Sequence, residues 1–176
     1  SRLIRMTPRY NPDVNGYWMC DIGRFDYHWV ESDERLRRPM LRNGAALEAS
    51  AWHDVQPRLR DRLQAAGTTG ASAVQFLVSA HASVEELFVL KQLLEGLLGA
   101  DGMATVTLAW TSSDKPQPAG AKLKVSKANA PNINGARDLG FAVGLGNDGA
   151  PDVSRLRTAV ESGQVKAVYV IDPGPD

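Results

Sequence analysis

The chain carries a single cysteine, Cys20, in 176 residues. One thiol excludes an internal disulfide and fits a reducing compartment. It also excludes an iron–sulfur cluster held by this chain alone, because such clusters normally take four thiolates. An excess of either charge is missing too: 20 Lys and Arg stand against 20 Asp and Glu. That balance gives no electrostatic support for nucleic acid or an anionic membrane surface as partner. No apolar run nears the roughly 20 residues that span a bilayer, so no direct membrane insertion is expected. Ser1-Arg-Leu-Ile-Arg5 is too short and too charged for a signal peptide.

What is present is enough chain for one domain with a sizeable core. The most unusual stretch is Pro8 to Phe25. Pro8 and Pro12 break helices there, and Asn11, Asn15, Gly16 and Gly23 supply turns. Tyr10, Tyr17, Trp18 and Phe25 put large apolar groups into it. The expectation is an ordered loop whose aromatics pack on something. Cys20 within it reads either as a metal ligand or as a free cysteine packed like a small hydrophobe. Residues 31–46 are rich in charge and read as a solvated connector, with an extended crossing after Pro39.

Leu47, Ala51, Val55, Leu59 and Leu63 recur at helical spacing and predict a helix from Leu47 to Ala66. Pro57 should kink it or start it afresh near Val55. Val74 to Ala80 is a continuous apolar run, as in a buried parallel strand. Ser83 with Glu86 forms a capping box, so a helix begins there and carries Leu87, Leu90, Leu94 and Leu97 on one face. A second strand is expected over Gly102–Trp110, completing a strand–helix–strand crossover. Residues 111–131 read as loop, and their lysines, Lys115, Lys122, Lys124 and Lys127, read as a solvated face. A helix over Asp152–Ser162 with Asp152 as N-cap and a strand over Val165–Ile171 follow.

Three features mimic chemistry. Gly144-Leu-Gly146-Asn-Asp-Gly149 fits Gly-x-Gly-x-x-Gly, with Asp172 after a later strand. Only Phe141-Ala-Val precedes it as strand, and Pro151 and Asp152 start the helix beyond the third glycine, so the glycines read as turn formers. His53 has no second histidine at ligand spacing. His81 follows a strand end but has no evident partner acid. No catalytic residue is therefore assigned.

The run Asn11-Pro-x-Val-Asn-x-x-Trp-Met-Cys-Asp-x-Gly-Arg24 resembles the end of the iron–sulfur segment in molybdopterin-oxidoreductase-type proteins. Within that superfamily it is most similar to the large iron–sulfur subunit of NADH:quinone oxidoreductase, respiratory complex I. Pro131-Asn-x-x-Gly-Ala-x-x-Leu-Gly140 and Arg35-Leu-x-x-Pro39 resemble the same subunits. The resemblance implies that Cys20 is the fourth ligand of a [4Fe–4S] cluster whose other three cysteines precede this sequence. Arg24 belongs to the same motif; it either donates to a cluster sulfur or braces the loop. The implied fold is α/β: a three-layer, mostly parallel sheet over residues 39–176, preceded by the end of the iron–sulfur segment over 1–38.

Both ends read as cuts in a longer chain, and the implied function belongs to the longer subunit. It carries electrons from NADH through iron–sulfur clusters toward quinone. Its partners are the other subunits of a respiratory NADH dehydrogenase, and it lies on the cytoplasmic side, peripheral to the inner membrane. The present chain alone is expected to hold no cluster and to be inactive, and molybdopterin is not expected. Two alternatives stand beside this: a molybdopterin-dependent oxidoreductase of the formate-dehydrogenase type, and a cofactor-free scaffold that docks other subunits.

Overall fold

A computed structural model describes residues 3–117, 119–120, 122, 125–144 and 151–171. The chain divides into two compact units, Ser1–Gln56 and Pro57–Asp176.

The first unit is sparse in regular structure. A short helix, α1 (Asp21–Phe25), precedes a 3₁₀ turn at His28–Glu31. Strands β1 (Met40–Asn43) and β2 (Ala46–Ala49) then form an antiparallel hairpin, with Met40 opposite Ala49 and Asn43 opposite Ala46. Its two-residue turn opens on Gly44 at φ 60°, the left-handed conformation that tight hairpins need and glycine supplies. This corrects the helix expected from Leu47. The Asn43-Gly44 turn closes a hairpin and draws Leu47 into β2. Local turn chemistry outweighs an apolar spacing that coincidentally matched a helix. Helix α2 (Trp52–Gly67) starts five residues later and runs through Pro57 as one element.

The second unit holds the core. After a 3₁₀ turn at Ala71–Ala73 come β3 (Val74–Ser79), α3 (Val84–Leu98), a 3₁₀ segment at Gly99–Thr105 and β4 (Val106–Ala109). Then follow α4 (Ile133–Asp138), α5 (Ser154–Glu161) and β5 (Ala167–Ile171). The strands lie in the order β4-β3-β5, and both pairings are parallel. The α/β class with a parallel sheet, expected from the apolar run and the crossover spacing, is the class observed. Among the described residues β5 pairs only with β3.

Side chains alternate across β3. Val74, Phe76 and Val78 are fully buried and share one cluster with Leu87, Leu90 and Leu94 of α3 and Leu108 of β4. Register puts Gln75 and Leu77 on the other face, beside Val168 and Val170 of β5. Those two valines remain 43% and 48% exposed.

The capping box expected at α3 is present. The Ser83 hydroxyl accepts from the Glu86 amide at 3.2 Å, and the Glu86 carboxylate accepts from the Ser83 amide at 2.8 Å. The second strand is shorter than expected, because Gly99–Thr105 coils as 3₁₀ instead. Gly102 lies so close to α3 that a Cβ on it would be 2.6 Å from the Leu94 carbonyl oxygen. Thr105 then donates its hydroxyl to the Gly102 carbonyl at 2.7 Å, which favours a turn over a ladder.

At α5 the N-cap position falls on Val153, not Asp152. The Asp152 carboxylate sits one residue earlier and accepts from the Ser154 hydroxyl at 2.6 Å and the Ser154 amide at 3.0 Å. Those two bonds hold its carboxyl below the usual range. Phe141-Ala-Val forms no strand; Phe141 is buried in the core. Gly146, Gly149 and Asp172 of the nucleotide-like pattern lie outside the described residues. No described helix is long and apolar enough to cross a membrane.

Candidate functional site: the Cys20 turn

The approach to Cys20 is built from interlocked turns. Asn11 and Gly16 exchange backbone hydrogen bonds, with N···O distances of 3.1 and 2.6 Å. Gly16 takes φ 56° to allow this. The Asn15 side-chain amide donates to the Trp18 carbonyl at 2.8 Å, and the Trp18 amide donates to the Asn15 carbonyl at 2.8 Å. Tyr10 and Tyr17 stack across the turn with ring centroids 4.6 Å apart.

Cys20 is the N-cap of α1, in extended conformation at φ −67°, ψ 154°. Its Sγ accepts from the Gly23 amide at 3.3 Å, and its carbonyl accepts from the Arg24 amide at 3.0 Å. An N-cap is normally an oxygen-bearing side chain; here sulfur fills that place. The helix was not legible beforehand because five residues show no periodicity, and the motif read as loop. The sequence signal for it is Asp21 in the first turn, where acidic groups favour a helix start.

Cys20 is a free thiol on the surface. That excludes the reading of it as a buried small hydrophobe. The loop aromatics are also not packed away as expected: Tyr17, Trp18 and Phe25 are 71%, 70% and 63% exposed. Arg24 is half-buried, and its guanidinium makes no hydrogen bond or ion pair among the described residues.

The donor set is one thiol. No group of three or more His, Cys, Asp or Glu among the described residues could hold a metal ion. One exposed thiol could supply a single corner of a cluster and no more. Cys20 is exposed, and a Cβ on Gly23 would lie tight against it, 3.3 Å from the Cys20 Sγ and 3.3 Å from the Met19 Cε.

Elsewhere the polar features are structural. His81 is exposed, and its amide donates to the Ser79 hydroxyl at 3.2 Å. His53 lies 3.5 Å from Asp54, and both are exposed. Lys115 donates to the carbonyls of Ser126 and Ala128, while Lys127 pairs with Asp114 at 2.6 Å. Those two lysines pin the arms of their loop together, and Lys124 lies outside the described residues. Sequence reasoning did not anticipate a cleft of about 800 Å³ between α5 and the sheet face bearing Gln75 and Thr107. No motif marks it, because its lining comes from scattered positions. Among the described residues it gathers hydroxyls, the exposed Arg155, and Ser154 with its hydroxyl on the Asp152 carboxylate.

No family model matches the chain. Curated proteins do. The NADH-quinone oxidoreductase G subunit of Pseudomonas fluorescens is 25% identical over 158 residues, which is 90% of this chain and 16% of that protein. The G subunit of Shewanella oneidensis is 35% identical over 92 residues, 52% of this chain and 10% of that protein. A protein of Bacillus subtilis named probable oxidoreductase YjgC is 22% identical over 102 residues, 57% of this chain and 10% of that protein. The chain thus spans a small part of the length of the curated relatives it matches. The resemblance first seen in three short motifs extends, at 25% identity, over 158 residues, and the chain is similar to NADH-quinone oxidoreductase G subunits.

Proposed function

We propose that this chain is a stretch of an iron–sulfur subunit of a respiratory NADH:quinone oxidoreductase, and that Cys20 supplies one of four thiolates to a [4Fe–4S] cluster. The observation that carries this reading is the Cys20 turn itself. Cys20 is exposed, its sulfur accepts one backbone N–H, and it sits in the motif that first drew the resemblance. A bound cluster would supply single-electron transfer. The work of this chain would be to hold one sulfur in a fixed place, through the Asn11–Trp18 turns and α1. Arg24, with its guanidinium unengaged, would be a second contact to the group, bringing positive charge near it.

In this reading residues 1–38 close the iron–sulfur segment, and 39–176 are part of a molybdopterin-oxidoreductase-like α/β domain that holds no molybdenum cofactor. The three remaining thiolates, and the partners toward NADH and quinone, lie beyond this chain. It is inactive alone. The complete subunit sits on the cytoplasmic side, held at the membrane by its neighbours.

The test is iron and acid-labile sulfide in the complete subunit, with Cys20 intact and as Cys20→Ala. The expected result is a loss of about four irons per subunit. Unchanged iron would leave Cys20 as a helix cap and nothing more. A second reading, a molybdopterin-dependent oxidoreductase, rests on the same motif resemblance; the similar Bacillus subtilis protein is named only as a probable oxidoreductase. Molybdenum and pterin found in the same preparation would support it over the first.

A further inference from the structure

We propose that the outward face of α3 is the docking surface for an amphipathic helix with basic flanks, supplied by the same polypeptide from outside these residues. The inference rests on the reading of this chain as a stretch of a longer subunit. α3 is apolar on two sides. Leu87, Leu90 and Leu94 are buried in the core. Val84, Phe88, Val89 and Leu93 stand on the other side, 45%, 49%, 62% and 46% exposed. A helix that is apolar all round is a buried helix, so this second side calls for a cover. Val84 with Phe88, and Val89 with Leu93, lie along the i to i+4 rows that form ridges for another helix. Beyond them a Cβ on Gly96 would meet nothing within 4 Å, which leaves room for a partner backbone to come close.

Charge specifies the occupant. Glu85 and Glu95 flank the apolar residues, are exposed, and make no ion pair or side-chain hydrogen bond among the described residues. The cation of α3, Lys91, is turned away from this face, since its Nζ donates to the Leu139 carbonyl at 3.0 Å. The face therefore offers apolar contacts inside a negative rim. Its complement is an apolar stripe with Lys or Arg beside it. Length specifies the source. The similar G subunit of Pseudomonas fluorescens is matched over 16% of its own length. In a subunit of that size most of the chain lies elsewhere in the same polypeptide. Tethering gives such a segment a high effective concentration at the α3 face, ahead of any separate partner.

The test uses the complete natural protein, isolated from its neighbours as a monomer, with the photo-crosslinker p-benzoylphenylalanine in place of Val89. After irradiation, cross-linked peptides are identified by mass spectrometry. We expect an intrachain cross-link to a segment outside these residues, with apolar positions at helical spacing and Lys or Arg beside them. The same probe at Leu93, one turn further on, should reach the same segment and serves should the first variant not fold. A cross-link to a segment without basic residues overturns the charge argument and with it the proposal. So does one to a second copy, to a neighbouring subunit in the assembled complex, or to another site within these residues. A face that cross-links to nothing is bare, which also overturns it. All of these leave the reading of a longer subunit standing. A natural protein no longer than these 176 residues would sink that reading as well.

Discussion

Glu86 shows how one side chain ties stability to pH. The Ser83 amide, and then the Ser83 hydroxyl, donate to its carboxylate and hold its pKa below the usual glutamate range. A carboxyl depressed by folding contributes stability above its unfolded value of roughly 4.3. That contribution is lost as pH falls through the lower, folded value. Wild type should therefore exceed Glu86→Gln in stability at neutral pH by about 0.3–1 kcal/mol, the worth of a charge at a helix N-terminus, since Gln can still accept in the capping box. The gap should close as urea midpoints are followed downward from about pH 4. A gap independent of pH would mean that the carboxylate charge adds nothing to the cap. This box was fully legible, because Ser-x-x-Glu ahead of an apolar run has one mechanical meaning. For Cys20 the ligand reading rests on its neighbours in the motif. Its thiol as a helix cap was not legible, since nothing in residue type or period announces a single turn.

At the scale of elements, legibility followed the strength of local signals. Val74–Ser79 and Val84–Leu98 each carry many agreeing positions, so type and place came through. The failures were boundaries where a turn competed with a period. Asn43-Gly44 claimed Leu47 for a strand, and Gly102 claimed the start of β4 for a 3₁₀ segment. The second case has a direct test. With 2.6 Å between the place an added methyl would take and the Leu94 carbonyl oxygen, Gly102→Ala must push the 3₁₀ segment off α3. Overpacking of this kind costs about 1–3 kcal/mol. Chemical denaturation should show that loss, with Gly96→Ala as control, because a Cβ on Gly96 meets nothing within 4 Å. Equal stability of Gly102→Ala and wild type would mean the segment shifts freely.

Across the whole molecule, burial is uneven. Every residue of the buried apolar core lies at Leu63 or later, while Ser1–Gln56 contains the exposed aromatics around Cys20. No sequence pattern foretold that division, since apolar residues are plentiful in both parts and only tertiary contact separates buried from bare. The sheet carries the same imbalance. Ala-Val-Tyr-Val-Ile at β5 has no proline and no charge, and on the described residues its outer edge is unpaired. Such an edge is a template for another copy of the same strand. In concentrated solution the isolated chain should form strand-paired aggregates, seen as light scattering that grows with concentration. Val170→Lys, at a half-exposed position, should act as a gatekeeper and suppress that scattering without moving the urea midpoint. Scattering that persists undiminished would shift the liability to the bare aromatics of the first unit.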